Sequence, residues 1–348
     1  MKINIKNIRV KSICATLFIS LFLSCNNGIE ELQKQNQSIL SISNLRQIFL
    51  DVFASFGDML KDPFGITAAT TKKSVGEQLG KVGEAVKSAK SKLESIKSGS
   101  GYDLIKDKAE TLIAKAIKTL EKIVNGTNKI KEATKDADDQ IANAGSSNAD
   151  AVKADETSVK NLVKGISMVY EASKDADVAP KGDARKATGS DCKAVGKLFG
   201  TNGSLAGSEL KAANVALNVA SGADILAAIE AANKDGQEKP ASTINLAKDA
   251  YDIAIANNSG SNDAEDAAVK QNASVIVAGL ALKAMARGGK LAINTTHAPQ
   301  EGVNAVLSRA VGKTVSEIVF TIRRTVDKCL KDVSECIKEN STSNEKSK

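Results

Sequence analysis

Aromatic side chains and histidine are scarce in this sequence. Among its 348 residues there are three Tyr, eight Phe, no Trp and a single histidine, His297. Proteins that bind single-stranded nucleic acids stack bases on aromatic rings, and most zinc sites and catalytic triads use histidine. The formal net charge is +7, but four cations lie in the first 24 residues, and the rest of the chain has 44 cations against 41 anions. We therefore expect no nucleic-acid partner, no metal site, no cofactor and no enzymatic activity.

The cysteines are too few for a disulfide framework. Cys14 and Cys25 lie in and at the end of an N-terminal leader, which leaves Cys192, Cys329 and Cys336. An odd number cannot form a complete disulfide set. On one helix the last two would have Cα atoms about 10.5 Å apart, beyond the ~7 Å that a disulfide allows. We expect these two to behave as small buried apolar residues.

Two short motifs suggest ligand binding only at first sight. Residues 312–314 read G-K-T, but a phosphate-binding loop needs a glycine where Leu307 stands and a strand before it. Asp136, Asp138 and Asp139 resemble the start of a calcium loop, but the required glycine and distal glutamate do not follow. We predict a helix for the first, a solvated turn for the second, and a surface position for His297.

The first 25 residues are typical of an export signal. Basic residues precede an apolar run at 13–23, and its 11 residues would rise only about 17 Å as a helix, too little for a hydrocarbon core of about 30 Å. The run ends in L-F-L-S-C, and the small Ser24 predicts cleavage before Cys25. The pattern resembles a bacterial lipobox in which Phe22 replaces the common Leu. The alternative is an ordinary secretory leader with an incidental cysteine.

Hydrophobic residues then recur every three or four positions, which predicts helices. The first stripe covers 45–60 and ends at Pro63; the second covers 104–124, with Gly126 as its C-cap. The C-terminal stripe steps alternately by four and three residues, so its helix should lie along a partner at a shallow angle, and we expect the first stripe to be that partner. The C-terminal stripe consists of Val311, Val315, Ile318, Ile322, Thr325, Cys329, Asp332 and Cys336.

Between these stripes, polar segments alternate with Ala-rich helical stretches. Gly, Asn, Asp, Ser and Pro favour turns, so we predict surface loops that tolerate substitution. Residues 273–286, in contrast, are apolar on nearly all sides and too few to cross a membrane, which predicts a core helix that ends at the basic, glycine-containing turn 287–290. The polar segments are 143–158, 175–190, 199–208, 233–243 and 256–268.

Four stretches carry a family resemblance. They are FLSCNNG at the end of the leader, FGDMLKDPFGI at 56–66, KQNASVIVAGLALKAMARGGKLAIN at 270–294 and the closing AVGKTVSEIVFTIRRTVDKCLKDVSECIKE. Together they resemble the variable large proteins of relapsing-fever spirochaetes, which are related to the variable surface lipoprotein of Lyme spirochaetes. The resemblance implies an all-α, elongated protein held to the outer membrane by lipid, which evades immunity through switching of the expressed variant. It implies N-acyl and S-diacylglycerol groups on Cys25 and host antibodies as partners.

The sequence thus predicts four segments: a signal peptide at 1–24, a lipidated tether at 25–38, a helical bundle at 39–340 and a polar tail at 341–348. In the bundle we expect the N- and C-terminal helices to pair near the membrane and the loops to lie at the distal end. The predicted function is that of a variable antigen exposed at the cell surface.

The alternative function is an adhesin for a host glycan or matrix component. Its candidate contacts are Lys181, Arg185 and Lys186, although four aspartates in and beside the same segment nearly cancel their charge. The sequence leaves open which host ligand is bound, if any, and whether the chain forms a homo-oligomer.

Overall fold

The computed structural model describes residue 37 and residues 66–98, 106–142, 147–232, 243–256 and 263–343. Within these ranges the chain consists of α-helices, short 3-10 helices and isolated β-bridges, without a β-strand, which confirms the predicted all-α class. The leader, Ser24, Cys25, the tether except Gln37, the stripe at 45–60 and Pro63 lie outside the described residues, as do 143–146, 233–242 and 257–262 of the predicted polar segments. The helices are α1 (Lys72–Lys97), α2 (Lys106–Thr134), α3 (Glu156–Asp175), α4 (Ser208–Val219), α5 (Gly222–Ala231), α6 (Ala250–Ile255), α7 (Ala267–Lys270), α8 (Ala273–Met285) and α9 (Gln300–Ser343).

The first three helices pack side by side through glycines. A Cβ atom added to Gly126 of α2 would lie 2.6 Å from the carbonyl oxygen of Gly165 of α3, and the reverse distance is also 2.6 Å. The prediction that Gly126 caps its helix is therefore wrong: α2 continues to Thr134. A cap and a close helix crossing both favour glycine, and only the contact with α3 distinguishes them.

Helix α8 is the centre of the core. All 13 of its residues are buried, which confirms the core helix predicted from its apolar composition. The helix ends one residue earlier than expected, because Ala286 has extended backbone angles. Gly288 then adopts a φ of +74° in the turn that follows.

The long helix α9 buries most of its predicted stripe. Val311, Ile318 and Ile322 are fully enclosed, whereas Asp332 and Cys336 are half-buried. Among the described elements, its main neighbours are α2 and α8. The proposed partner at 45–60 lies outside the described residues, so that pairing stays a prediction. The helix reaches Ser343, three residues into the segment assigned as the polar tail.

All nine helices contribute buried residues to one hydrophobic cluster in the described part of the chain, and α7 contributes Val269 alone. No single helix described is both long and apolar enough to cross a membrane. Helices α4 and α5 reach that length and composition only when taken together, and the chain bends by 103° between them.

Candidate functional site: a loop face

Three loop segments meet where α3 and α9 begin and α8 ends. We call residues 147–155, 199–207 and 287–299 the loop face. Its framework is backbone hydrogen bonding: the Ala149 and Ile293 N–H groups donate to each other's carbonyl oxygens at 3.1 and 2.8 Å, and Val152 and Lys290 do the same at 3.0 and 3.1 Å. The N–H of Ala151 donates to the Gly200 oxygen at 2.9 Å, which joins the second segment to the first. These bonds use only main-chain atoms, so they tolerate changes of the side chains.

Four polar side chains add cross-links between the segments. The Asp150 carboxylate accepts hydrogen bonds from the backbone N–H and the side-chain amide of Asn202, at 2.8 and 2.7 Å. The Asn294 side chain donates to the Asn202 carbonyl at 3.2 Å, and the Asn148 side chain accepts from the Thr295 N–H at 2.9 Å. Side-chain hydrogen bonds therefore make four residues part of the framework of the loop face: Asn148, Asp150, Asn202 and Asn294.

The outer side of the loop face is exposed. Val152 keeps 45% of its surface accessible, and Lys153, Thr296 and His297 are also exposed, so the surface position predicted for His297 is confirmed. The inner side is not polar: Phe199, predicted to start a surface loop, is fully buried. A polar segment can still contain an anchoring residue, and the composition of the segment hides it.

The candidate adhesin residues lie on a different loop, which pairs with the start of α8. The Ala273 N–H donates to the Lys186 carbonyl at 2.7 Å, and the Thr188 N–H donates to the Gln271 carbonyl at 2.8 Å. Lys181, Arg185 and Lys186 are all exposed. Asp183 lies among them and accepts the backbone N–H of Arg185 at 2.9 Å. The three cationic residues thus lie on one loop, but this loop also contains negatively charged aspartates.

The motifs rejected from the sequence are structural. Residues 312–314 lie within α9, where the Lys313 ammonium donates to the Leu217 and Ala220 carbonyl oxygens at 2.6 and 2.7 Å, at the C-terminal end of α4. Asp136, Asp138 and Asp139 form an exposed turn, as predicted. No group of three or more His, Cys, Asp or Glu side chains suited to a metal occurs within the described ranges.

Sequence reasoning missed two buried lysines at the inner side of the loop face. Lys72 and Lys283 have exposed fractions of 0% and 1%. Burial, with the charges of Lys72 and Lys153, lowers the pKa of Lys283 to about 7. Burial likewise lowers the pKa of Lys72 to about 8, although Asp139 acts in the opposite direction. Lys283 is the only charged residue in the apolar run 273–286. This isolated charge is the one feature of the sequence that could have indicated a buried lysine.

Two of the three free thiols are buried and therefore poorly reactive. Cys192 and Cys329 are buried, as are most free cysteines, and Cys336 is half-buried. Burial raises the pKa of Cys329 to about 12 and also raises that of Cys192. The prediction that Cys329 and Cys336 are small buried residues is confirmed for Cys329 and wrong for Cys336, which lies nearer the C-terminal end of α9 and is only half-buried.

These features describe a helical scaffold that presents a loop surface. The family model described as "Borrelia lipoprotein" matches residues 49–337. Variable large protein 4 of Borrelia hermsii is 36% identical over 337 residues, covering 94% of this chain and 93% of that protein. Variable large protein 17 of the same species is 35% identical over 324 residues, with 90% and 87% covered.

A solved structure shares the fold. The Lyme disease variable surface antigen VlsE of Borrelia burgdorferi is 26% identical and superposes with a TM-score of 0.69, covering 85% of this chain and 97% of that one. The chain belongs to the Borrelia lipoprotein family, and its relatives are variable large proteins and a variable surface antigen.

Proposed function

We propose that this protein is a variable antigen of the outer membrane, anchored by lipid on Cys25 and exposed to host antibodies through its loop face. The proposal rests on the observation that different groups of the loop face hold its shape and form its outer surface. Main-chain hydrogen bonds and buried residues hold its shape, while exposed side chains such as Val152, Lys153 and Thr296 contribute little to the fold. Exposed positions of this kind change at a cost of typically about ±0.5 kcal/mol. The antigenic surface can therefore vary while the scaffold is kept.

The predicted pairing of residues 45–60 with the C-terminal part of α9 would place the loop face away from the membrane. Helix α9 begins at the loop face. The thiol of Cys329, in the C-terminal part of α9, contacts Thr119 of α2, so this part of α9 lies beside the first half of α2. The first described segment, 66–71, lies at the loop-face end, because Thr71 bridges Gln140 and Lys72 bonds Gly289. Outside the predicted helix at 45–60, residues 26–65 include 24 residues, which span up to about 80 Å when extended, whereas the 44 residues of α9 rise about 66 Å. The chain is therefore long enough to run back along α9, as the predicted pairing requires.

The anchor is tested by a single substitution. Cys25→Ala removes the thiol that would carry the diacylglycerol, and we expect loss of fatty-acid labelling and of partitioning into detergent. A single acyl chain holds only weakly, so stable attachment requires the several chains proposed here. Cys336→Ala is the matched control and should leave both properties intact. Normal labelling of the Cys25 variant would rule out the anchor.

The antigenic role is tested by exchanging side chains on the loop face. Val152, Lys153, Thr296 and His297 would be replaced by the residues of another variable large protein, while Asp150, Asn202 and Asn294 are kept. We expect variant-specific antibodies to lose binding, with unchanged helical circular dichroism. The control exchanges four exposed residues of α1, which should leave binding intact. The proposal fails if antibodies bind the exchanged loop face as before.

An adhesin role makes a different prediction. Binding of a polyanionic glycan would decrease with salt and would be lost on replacing Lys181, Arg185 and Lys186. The acids interleaved with these residues make this the weaker candidate. Salt-sensitive binding that depends on the three residues would favour it over the antigen role.

A further inference from the structure

Two buried ammonium groups occupy the junction where α1, α6 and α8 meet. Lys72, the first residue of α1, donates to the Ala286 and Gly289 carbonyl oxygens at 2.7 and 2.9 Å. Lys283, in the last turn of α8, donates to the Ala254 and Ala256 oxygens at 3.4 and 3.2 Å. Each lysine thus joins its own helix to the C-terminal end of another, where carbonyl groups lack partners within the helix.

The two groups are close enough to repel each other and have little compensation. No ion pair to either ammonium is formed within the described residues, and the further support for Lys283 is the Phe199 ring, whose centroid lies 5.3 Å from its Nζ. Charged groups approach from each neighbouring segment. Lys153 and Lys290 add positive charge, Asp139 opposes it beside Lys72, and Arg287 already pairs with Asp155. On α6, Asp252 accepts the Lys248 N–H at the opposite end of that helix.

We propose that Lys72 and Lys283 form an acid-sensitive latch: when both are protonated, the junction of α1, α6 and α8 opens more readily and exposes the buried core helix. This inference does not depend on the antigenic role. Burial disfavours the charged form of a lysine, so the closed state binds fewer protons than the open state, in which both side chains reach water. The closed state is therefore most favoured at high pH and loses that advantage as the pH falls.

The size of the effect follows from the two buried groups. In the open state both lysines keep their usual pKa of 10.5, whereas the closed-state values are about 8 for Lys72 and about 7 for Lys283. By proton linkage, the opening constant should then increase on the order of 100-fold between pH 8.5 and pH 6. Lys283 accounts for about 30-fold of this change and Lys72 for about fourfold. Below pH 6 both groups are charged in both states, and these two lysines cause no further change.

Hydrogen exchange across this pH range tests the latch. Protection factors of the α8 and α6 amides, corrected for the intrinsic exchange rate at each pH, report the opening constant. We expect the wild-type factors to fall about 100-fold from pH 8.5 to pH 6 and those of Lys283→Met to fall only about fourfold. Lys160→Met changes an exposed lysine on α3 and should keep the wild-type response. Equal pH responses of wild type and Lys283→Met would overturn the proposal.

A second measurement needs no variant. In the folded protein labelled at lysine Cε, carbon chemical shifts report the protonation of each ammonium group. We expect two lysine signals to titrate between about pH 6.5 and 8.5, below the usual range of exposed lysines. If every lysine titrates above pH 9.5, the latch does not exist.

Discussion

Three lysines in this protein act at helix ends where sequence patterns give little warning. Lys72, Lys283 and Lys313 reach carbonyl oxygens at the C-terminal ends of α8, α6 and α4. A lysine N–H donor is favoured there because the carbonyl groups of the last turn point outward without partners within the helix. The acceptors of Lys72 and Lys313 are distant in sequence, and even those of Lys283 precede it by 27 and 29 residues. Local periodicity therefore cannot identify such caps.

Glycine at a helix crossing supports a stability prediction. Gly126→Ala would place a methyl group 2.6 Å from the Gly165 carbonyl oxygen, and forcing these helices apart should cost about 1–3 kcal/mol. Urea denaturation of the folded protein measures the loss. Gly203→Ala is the control, because nothing lies within 4 Å of the added Cβ. Equal stabilities of the two variants would contradict the close crossing.

The cysteines predict a simple pattern of labelling. Cys336 is half-buried, while Cys192 and Cys329 are enclosed. A truncated protein that starts at residue 26 would retain only these three cysteines. Only a thiolate reacts, and burial raises the pKa of Cys329 to about 12. We expect a thiol reagent to label at most Cys336 quickly at neutral pH and all three residues after denaturation. Rapid labelling of Cys329 in the native protein would show that α9 is packed differently.

At the scale of whole helices, much could be predicted from periodicity. The core helix α8 was identified from its apolar composition, and the buried stripe of α9 from its alternating steps, because both signals are local. The prediction that α2 ends at Gly126 is wrong, because this glycine permits close contact with Gly165 of α3, about 40 residues further along the chain. The composition of segment 199–208 predicts a surface loop, because its many polar and glycine residues conceal the single aromatic residue, Phe199. The loop face itself could not be predicted, since its three segments are joined only by tertiary contacts.

Adjacent positions on α9 test its packing. Ile322 is fully buried and Arg323 is exposed. Ile322→Asp introduces an unpaired charge into the core and should lower the free energy of unfolding by about 3 kcal/mol or more. Arg323→Asp introduces the same residue on the solvent side and should cost about 0.5 kcal/mol or less. Thermal denaturation distinguishes them, and similar melting temperatures would mean that this face of α9 is not enclosed.

In the whole molecule, the helices and the loop face have different structural roles. The helices supply a shared core with α8 at its centre, and the loop face supplies a surface whose main-chain bonds do not depend on the outward side chains. Membership of the Borrelia lipoprotein family agrees with this arrangement, because relatives at 36% and 35% identity are named as variable proteins. The central claim is that antibodies meet the loop face and not the core.

Hydrogen-exchange mapping of antibodies raised against intact cells tests that claim most directly. The antibodies would be bound to the folded protein, and the amides whose exchange slows would be located. We predict slowing in the loop face, above all at 147–155 and 295–299, and none in α8, because side chains enclosed on all sides are unavailable to an antibody. If the antibodies instead protect mainly α8, or protect only α1 and α2 and leave the loop face unchanged, the account is contradicted.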